Sequence, residues 1–142
     1  MKASDVIKTF AWVVVAVMGV WAPVARGGGG AIVGWGNNGY GQCNVPAPNA
    51  DFIAVAGGGY HSLGLKANGS IVGWGNNAYG QCNVPEPNAD FVGVAAGWTH
   101  SLGLKADGSI VACGDNSSGQ CNVPEPNADF IAVGGALTIA WA

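Results

Sequence analysis

The amino-acid sequence predicts an all-β protein, a partial β-propeller of about three blades, and three observations carry that prediction. Cys43, Cys82 and Cys121 recur 39 residues apart, as do His61 with His100 and Pro46, Pro85 and Pro124; a fixed period of this size marks a propeller or a solenoid. Within each period, short β-branched runs alternate with Asn-Gly or Asp-Gly pairs, the pattern of strands joined by tight turns. With 25 glycines and only 9% charged residues, the 142-residue chain has little material for solvated helices and length for about one domain.

Residues 1–26 stand apart. Lys2 and Lys8 precede an apolar run from Phe10 to Ala22, and small residues follow before Gly27, the layout of a signal peptide with an apolar helix. The run is shorter than the roughly 20 residues a bilayer-spanning helix needs, so the chain is expected to be exported, secreted or periplasmic, with no membrane association after signal removal. Pro23 disfavours cleavage after either Ala22 or Ala25, and the cleavage point stays open. Gly27 to Gly30 reads as a flexible spacer.

From Ala31 the repeat takes over. Residues 31–51 supply the third and fourth strands of a half blade, 52–90 and 91–129 form complete blades, and 130–142 form a degenerate half blade. Within a unit, "FIAVA" (Phe52 to Ala56) and "HSLGLK" (His61 to Lys66) suit the first two strands. Asn68-Gly69, and Asp107-Gly108 one unit later, fit a two-residue type I′ hairpin. "SIVGWG" (Ser70 to Gly75) is the third strand and "QCNV" (Gln81 to Val84) a shorter fourth, after which Pro85, Pro87 and Asn88 lead onward. Four antiparallel strands per unit is the content of a propeller blade. In the last unit Trp141 stands where Leu102 would recur and Ile139 replaces the histidine.

The stretch "GWGNNGYGQCNVP" (Gly34 to Pro46) contains the G-x-G-x-x-G of dinucleotide-binding loops, which require a helix directly after the glycines. Here Pro46 and the turn residues exclude one, and the third copy, "ACGDNSSGQ", has lost the spacing. The glycines therefore read as strand ends and close blade packing, and no cofactor is expected. Beyond residue 26, Lys66 and Lys105 face seven acids, a net −5, which argues against a nucleic-acid partner.

The combined pattern of "HSLGLK", then "NGSIV" or "DGSIV", then "YGQ", with Phe91 to Ala112 matching almost throughout, resembles the repeat of the regulator of chromosome condensation family. The short unit with "VP" after the "GQ" turn is most similar to bacterial members, among them a secreted propeller that inhibits β-lactamases. The resemblance implies a ring that binds proteins through loops at one end; nucleotide exchange on a small GTPase does not carry over to an acidic chain with an export signal. Known members have seven blades, and about three leave sheet edges and apolar flanks open. The alternatives are a homodimer whose half blades exchange strands into a six-bladed ring, a truncated or vestigial fragment without independent function, and an open arc.

Chemistry finds little footing. His61 and His100, each beside a serine in a strand, recur too regularly for a nucleophile–base pair and read as structural. Asp51, Asp90 and Asp129 precede the first strand, where a carboxylate can bond its own turn. No C-x-x-C occurs and no metal site is expected, but Cys113 and Cys121 lie across a turn from one another, a candidate disulfide with buried free thiols as the alternative. Asn68-Gly69-Ser70 and Asn116-Ser117-Ser118 fit the glycosylation pattern within turns whose composition needs no such explanation. Alternating strand direction brings the loops 57–60 and 96–99 to the same end as 37–41 and 76–80, so Tyr40, Tyr60, Tyr79 and Trp98 converge there as candidate contacts for an unknown protein partner. Tyr40 and Tyr79 precede the recurring "GQ" and read first as blade packing, whereas Tyr60 and Trp98 vary between copies and are the stronger contact candidates. The expected function is non-enzymatic protein binding, with a secreted enzyme inhibitor as the narrower alternative.

Overall fold

The structure, a computed structural model, describes residues 29–136 together with 13–14 and 139–141. The strands are β1 (Val13–Val14), β2 (Ile32–Val33), β3 (Phe52–Gly57), β4 (His61–Lys66), β5 (Ile71–Gly75), β6 (Phe91–Ala96), β7 (His100–Lys105), β8 (Ile110–Gly114), β9 (Ala132–Ala136) and β10 (Ile139–Trp141). Two antiparallel three-stranded sheets, β3-β4-β5 and β6-β7-β8, repeat one another in register: Leu63 pairs with Gly73 in the first and Leu102 with Ala112 in the second. The strands β9 and β10 form an antiparallel pair, and β2 lies parallel to β1. The expected N-terminal helix falls outside the described residues, except for Val13 and Val14, which are extended.

Each blade has three strands, not the expected four. The "QCNV" segment is turn and irregular backbone, because side-chain amides replace the ladder. Asn77 accepts from the Cys82 N–H at 2.8 Å and donates to Asn83 at 2.8 Å, and Asn38 and Asn116 do the same in their units. The outer edge of the third strand is closed the same way. The Asn88 amide accepts from the Ile71 N–H and donates to the Ile71 carbonyl, both at 2.8 Å, and Asn49 on Ile32 and Asn127 on Ile110 repeat the pair. One amide thus stands in for one residue of a neighbouring strand and satisfies two backbone groups that would otherwise lack partners.

The hairpin turn also differs from expectation. A type I′ turn needs positive φ at both central residues, yet only Gly69 has it, at 81°; Gly69 N–H bonds to Lys66 O at 2.9 Å and Lys66 N–H to Ser70 O at 2.8 Å. This is a type I turn followed by a left-handed glycine, the three-residue hairpin. Asn68 completes it by accepting from the Ser70 N–H and hydroxyl. Asp51, Asp90 and Asp129 take φ of 63–64°, a left-handed conformation that Asp tolerates better than most residues. Their place before the first strand is thus a backbone requirement.

The core lies between blades. Ile32, Phe52 and Trp74 close the first seam, Leu63, Leu65, Ile71, Phe91 and Ala96 the second, and Ala95, Leu102, Leu104, Ile110 and Phe130 the third. A single sheet therefore has no core of its own, which is the condition of a repeat stack. Both lysines of the repeats serve this packing. Lys66 Nζ lies 4.6 Å from the Phe52 ring centre and donates to the Pro48 and Ala50 carbonyls, and Lys105 lies over Phe91 at 4.9 Å and donates to Pro87.

Candidate functional site

The recurring His-Ser dipeptide opens the second strand of each blade, at the seams. His61 Nε2 lies 2.8 Å from Ser101 Oγ, one blade further on, and Ser101 Oγ donates to the Gln81 carbonyl at 2.6 Å. A hydroxyl has one proton, so Ser101 accepts from the imidazole and His61 carries its proton on Nε2. The ring cannot then take a proton from the serine, which excludes a nucleophile–base pair in this arrangement. Burial, followed by the proximity of His100, lowers the His61 pKa to about 4, and its Nδ1 is buried without a partner. Burial lowers the His100 pKa too, with Asp115 opposing it. Ser62 donates to Gln42 O at 2.9 Å, as does the Trp74 indole at 2.8 Å. These groups are seam fasteners.

Cys113 and Cys121 are free thiols, as are Cys43 and Cys82. The bridge considered for the first pair is not formed: Cys121 donates to Asp115 O at 3.3 Å, while Cys113 points to Gln81 O at 3.7 Å in the preceding unit. Burial above all pushes the Cys113 thiol up to about 11, far from the thiolate that oxidation or metal binding uses. Among the described residues no three His, Cys, Asp or Glu side chains are grouped to hold a metal. The hollow lined by Leu63, Ile71, Phe91, Leu102 and Cys113 has a cavity volume of about 10 Å³, too small for a metabolite.

The loops 57–60 and 76–80 do meet at one end, where Asn76 N–H bonds to Tyr60 O at 2.9 Å. Three of the four aromatic candidates there touch in a row. Tyr40 meets Tyr60 with ring centres 4.9 Å apart and planes at 60°, and Tyr60 meets Trp98 at 5.3 Å and 82°, edge-to-face geometry that aromatic pairs favour. The row draws on three successive units, yet Tyr40 is 54% exposed and Trp98 55%, with only Tyr60 half-buried. Tyr79 is 58% exposed. Tyr40 and Tyr79 leave more than half their surface to solvent, while Tyr40 also packs on Tyr60 of the next unit.

Sequence reasoning missed Asn49, Asn88 and Asn127, whose recurrence every 39 residues was the available signal. It also missed the contact of Thr99 with Asp115, whose hydroxyl-to-carboxylate distance is 3.4 Å.

Small antiparallel sheets, joined through apolar clusters and fastened by polar groups from adjoining units, define a stack of propeller blades. Residues 52–81 and 91–120 each match the model of the Regulator of chromosome condensation (RCC1) repeat. Among solved structures the chain is similar to Prp20p from Saccharomyces cerevisiae, described with its binding to Gsp1p and histones, at 25% identity and a TM-score of 0.53, covering 66% of this chain and 28% of that one. Yeast RCC1 (Prp20) bound to Kap60 gives 21% identity, a TM-score of 0.56 and coverage of 72% and 35%. The ectodomain of the receptor kinase CR4 from Physcomitrella patens gives 24%, 0.57, and coverage of 68% and 27%; these last two speak for the fold alone. The chain spans between 27% and 35% of the length of these structures. No curated protein matches it in sequence.

Proposed function

We propose that the chain is a non-enzymatic scaffold that binds a protein partner through the aromatic end of its blades. The observation that carries this reading is the row Tyr40, Tyr60 and Trp98, which extends across three units while two of its three rings remain more than half exposed. Rigid aromatic side chains bring large contact area at low entropic cost, and interface hot spots are enriched in them. The buried, neutral His61, whose Nε2 is bonded to Ser101, supports binding over bond-making. The test is a Tyr60→Ala, Trp98→Ala double variant. A partner isolated with the native chain, then measured in purified form by calorimetry at a temperature where both forms are folded, should bind the variant at least about 10-fold more weakly. Equal affinity of both forms overturns the reading.

A second reading is favoured by the division of one blade between β2 and the β9-β10 hairpin: two chains exchange these parts and close a six-bladed ring. Light scattering tests it, since a monomer at micromolar concentration refutes the exchange. Export through residues 1–26 is proposed as well, and a mature chain that retains Met1 in the producing cell would refute it.

A further inference from the structure

In a repeat stack the residues that recur carry the fold, so exposed departures from the repeat at one end are the positions free to select a ligand. Two of the largest departures at the aromatic end are linked through Thr99. Trp98 stands where the preceding unit has Gly59, and Asp115 where it has Asn76. Thr99, next to Trp98, joins them: its carbonyl accepts from the Asp115 N–H at 2.9 Å and its hydroxyl lies 3.4 Å from the Asp115 carboxylate. The Trp98 ring is fixed from one side by Tyr60 and is 55% exposed.

The charges of the molecule are divided. Asp51, Asp90, Asp107 and Asp129 sit beside the hairpin turns at the opposite end, where Glu86 and Glu125 accept from the backbone N–H groups of Asn88 and Asn127, the residues whose side-chain amides close on Ile71 and Ile110. Asp115 is the one charged side chain of the loops at the aromatic end among the described residues. Bonds from the Ser117 N–H and hydroxyl, and from Thr99, hold it below the usual carboxylate range, so it is ionised at neutral pH. Both lysines of the repeats lie on backbone carbonyls, and the body beyond residue 26 carries a net −5 with their charges included.

An exposed indole and, reached through the neighbouring Thr99, an ionised carboxylate on an acidic molecule are together complementary to a planar cation. We infer that Trp98 and Asp115 form a site for an arginine side chain on an extended segment of the protein partner, the guanidinium stacking on the indole and pairing with the carboxylate. The inference rests on the scaffold reading and gives its partner a chemistry. The acidic field draws such a segment in, and the association weakens with salt.

The experiment is calorimetric titration of the full chain with the peptide acetyl-Gly-Arg-Gly-Arg-Gly-amide and with its citrulline counterpart, which keeps the shape and removes the charge. The arginine peptide should bind at low salt at least about 10-fold more tightly than the citrulline peptide, with Trp98→Ala costing about 10-fold and Asp115→Asn about 3-fold. Trp98 is exposed and Asp115 half-buried, and unchanged melting curves show that the variants remain folded. Equal binding of the two peptides, no binding of either, or indifference to Trp98→Ala overturns the site. A protein partner that is lost in the Tyr60→Ala, Trp98→Ala variant but does not compete with the arginine peptide leaves the scaffold standing and the arginine site refuted.

Discussion

Replacing Gly103 by alanine tests whether the seam between the two complete blades is packed as described. Gly103 lies in β7, paired with Val94 and Val111. A Cβ there would stand 2.6 Å from Cε1 and 2.7 Å from Cδ1 of Phe91, and 2.9 Å from Cδ1 of Ile71. In an unobstructed strand the exchange gains about 0.5–1 kcal/mol, because glycine is the costlier residue to order. Overpacking of this kind costs about 1–3 kcal/mol. Phe91 is 2% exposed and pressed by Lys105 from above, so the ring has little room to yield. The clash wins, and Gly103→Ala should lose about 1–2 kcal/mol, lowering the melting temperature by about 5–15 °C. Shortening the ring reverses the sign. Phe91→Leu alone costs about 1–2 kcal/mol for the space it leaves, but in that background Gly103→Ala should be neutral or stabilising. Urea unfolding of the four proteins of this cycle reads the coupling directly. Additive effects, or a stabilising Gly103→Ala in the native background, would show that Phe91 does not lie over residue 103.

Three further outcomes follow from the polar groups. The folded His61 pKa of about 4 lies below the ordinary 6.5, so the unfolded chain binds the extra proton between those values; stability is complete above about pH 6.5 and falls by about 2–3 kcal/mol toward pH 4, a slope that His61→Gln should flatten in chemical denaturation. Asn88→Ala removes both bonds to Ile71 and should cost about 1–3 kcal/mol, with faster hydrogen exchange at the Ile71 amide as the local sign. Asp90→Gly relieves a left-handed φ of 63° and should be neutral or stabilising by up to about 1 kcal/mol, measured by the urea midpoint.

Much of the blade was legible because its signals are local. His61 to Lys66 was placed residue for residue, and the neighbouring strands differ by one residue at a single end. The fourth strand failed because a four-residue run cannot show whether its partner is a backbone ladder or an amide such as Asn77. The Asn-Gly pair failed because it serves two hairpin types, and the φ of Asn68 decides between them. That the histidines are structural could be read from their recurrence. That His61 is fastened to a serine 40 residues on could not, since it depends on how neighbouring blades meet. The aromatic end was legible through chain direction alone, whereas the proximity of Asp115 to Thr99 required the fold.

At the first two seams the accepting carbonyl comes from the tail of one unit, Gln42 or Gln81, and the hydroxyl from the second strand of the next, Ser62 or Ser101. An additional copy of residues 52–90, spliced between the existing ones, would present the correct donor on one side and the correct acceptor on the other. Such an array can lengthen or shorten by whole units without inventing a new joint, while the loss of a single residue within a unit disturbs the joints that unit makes with its neighbours.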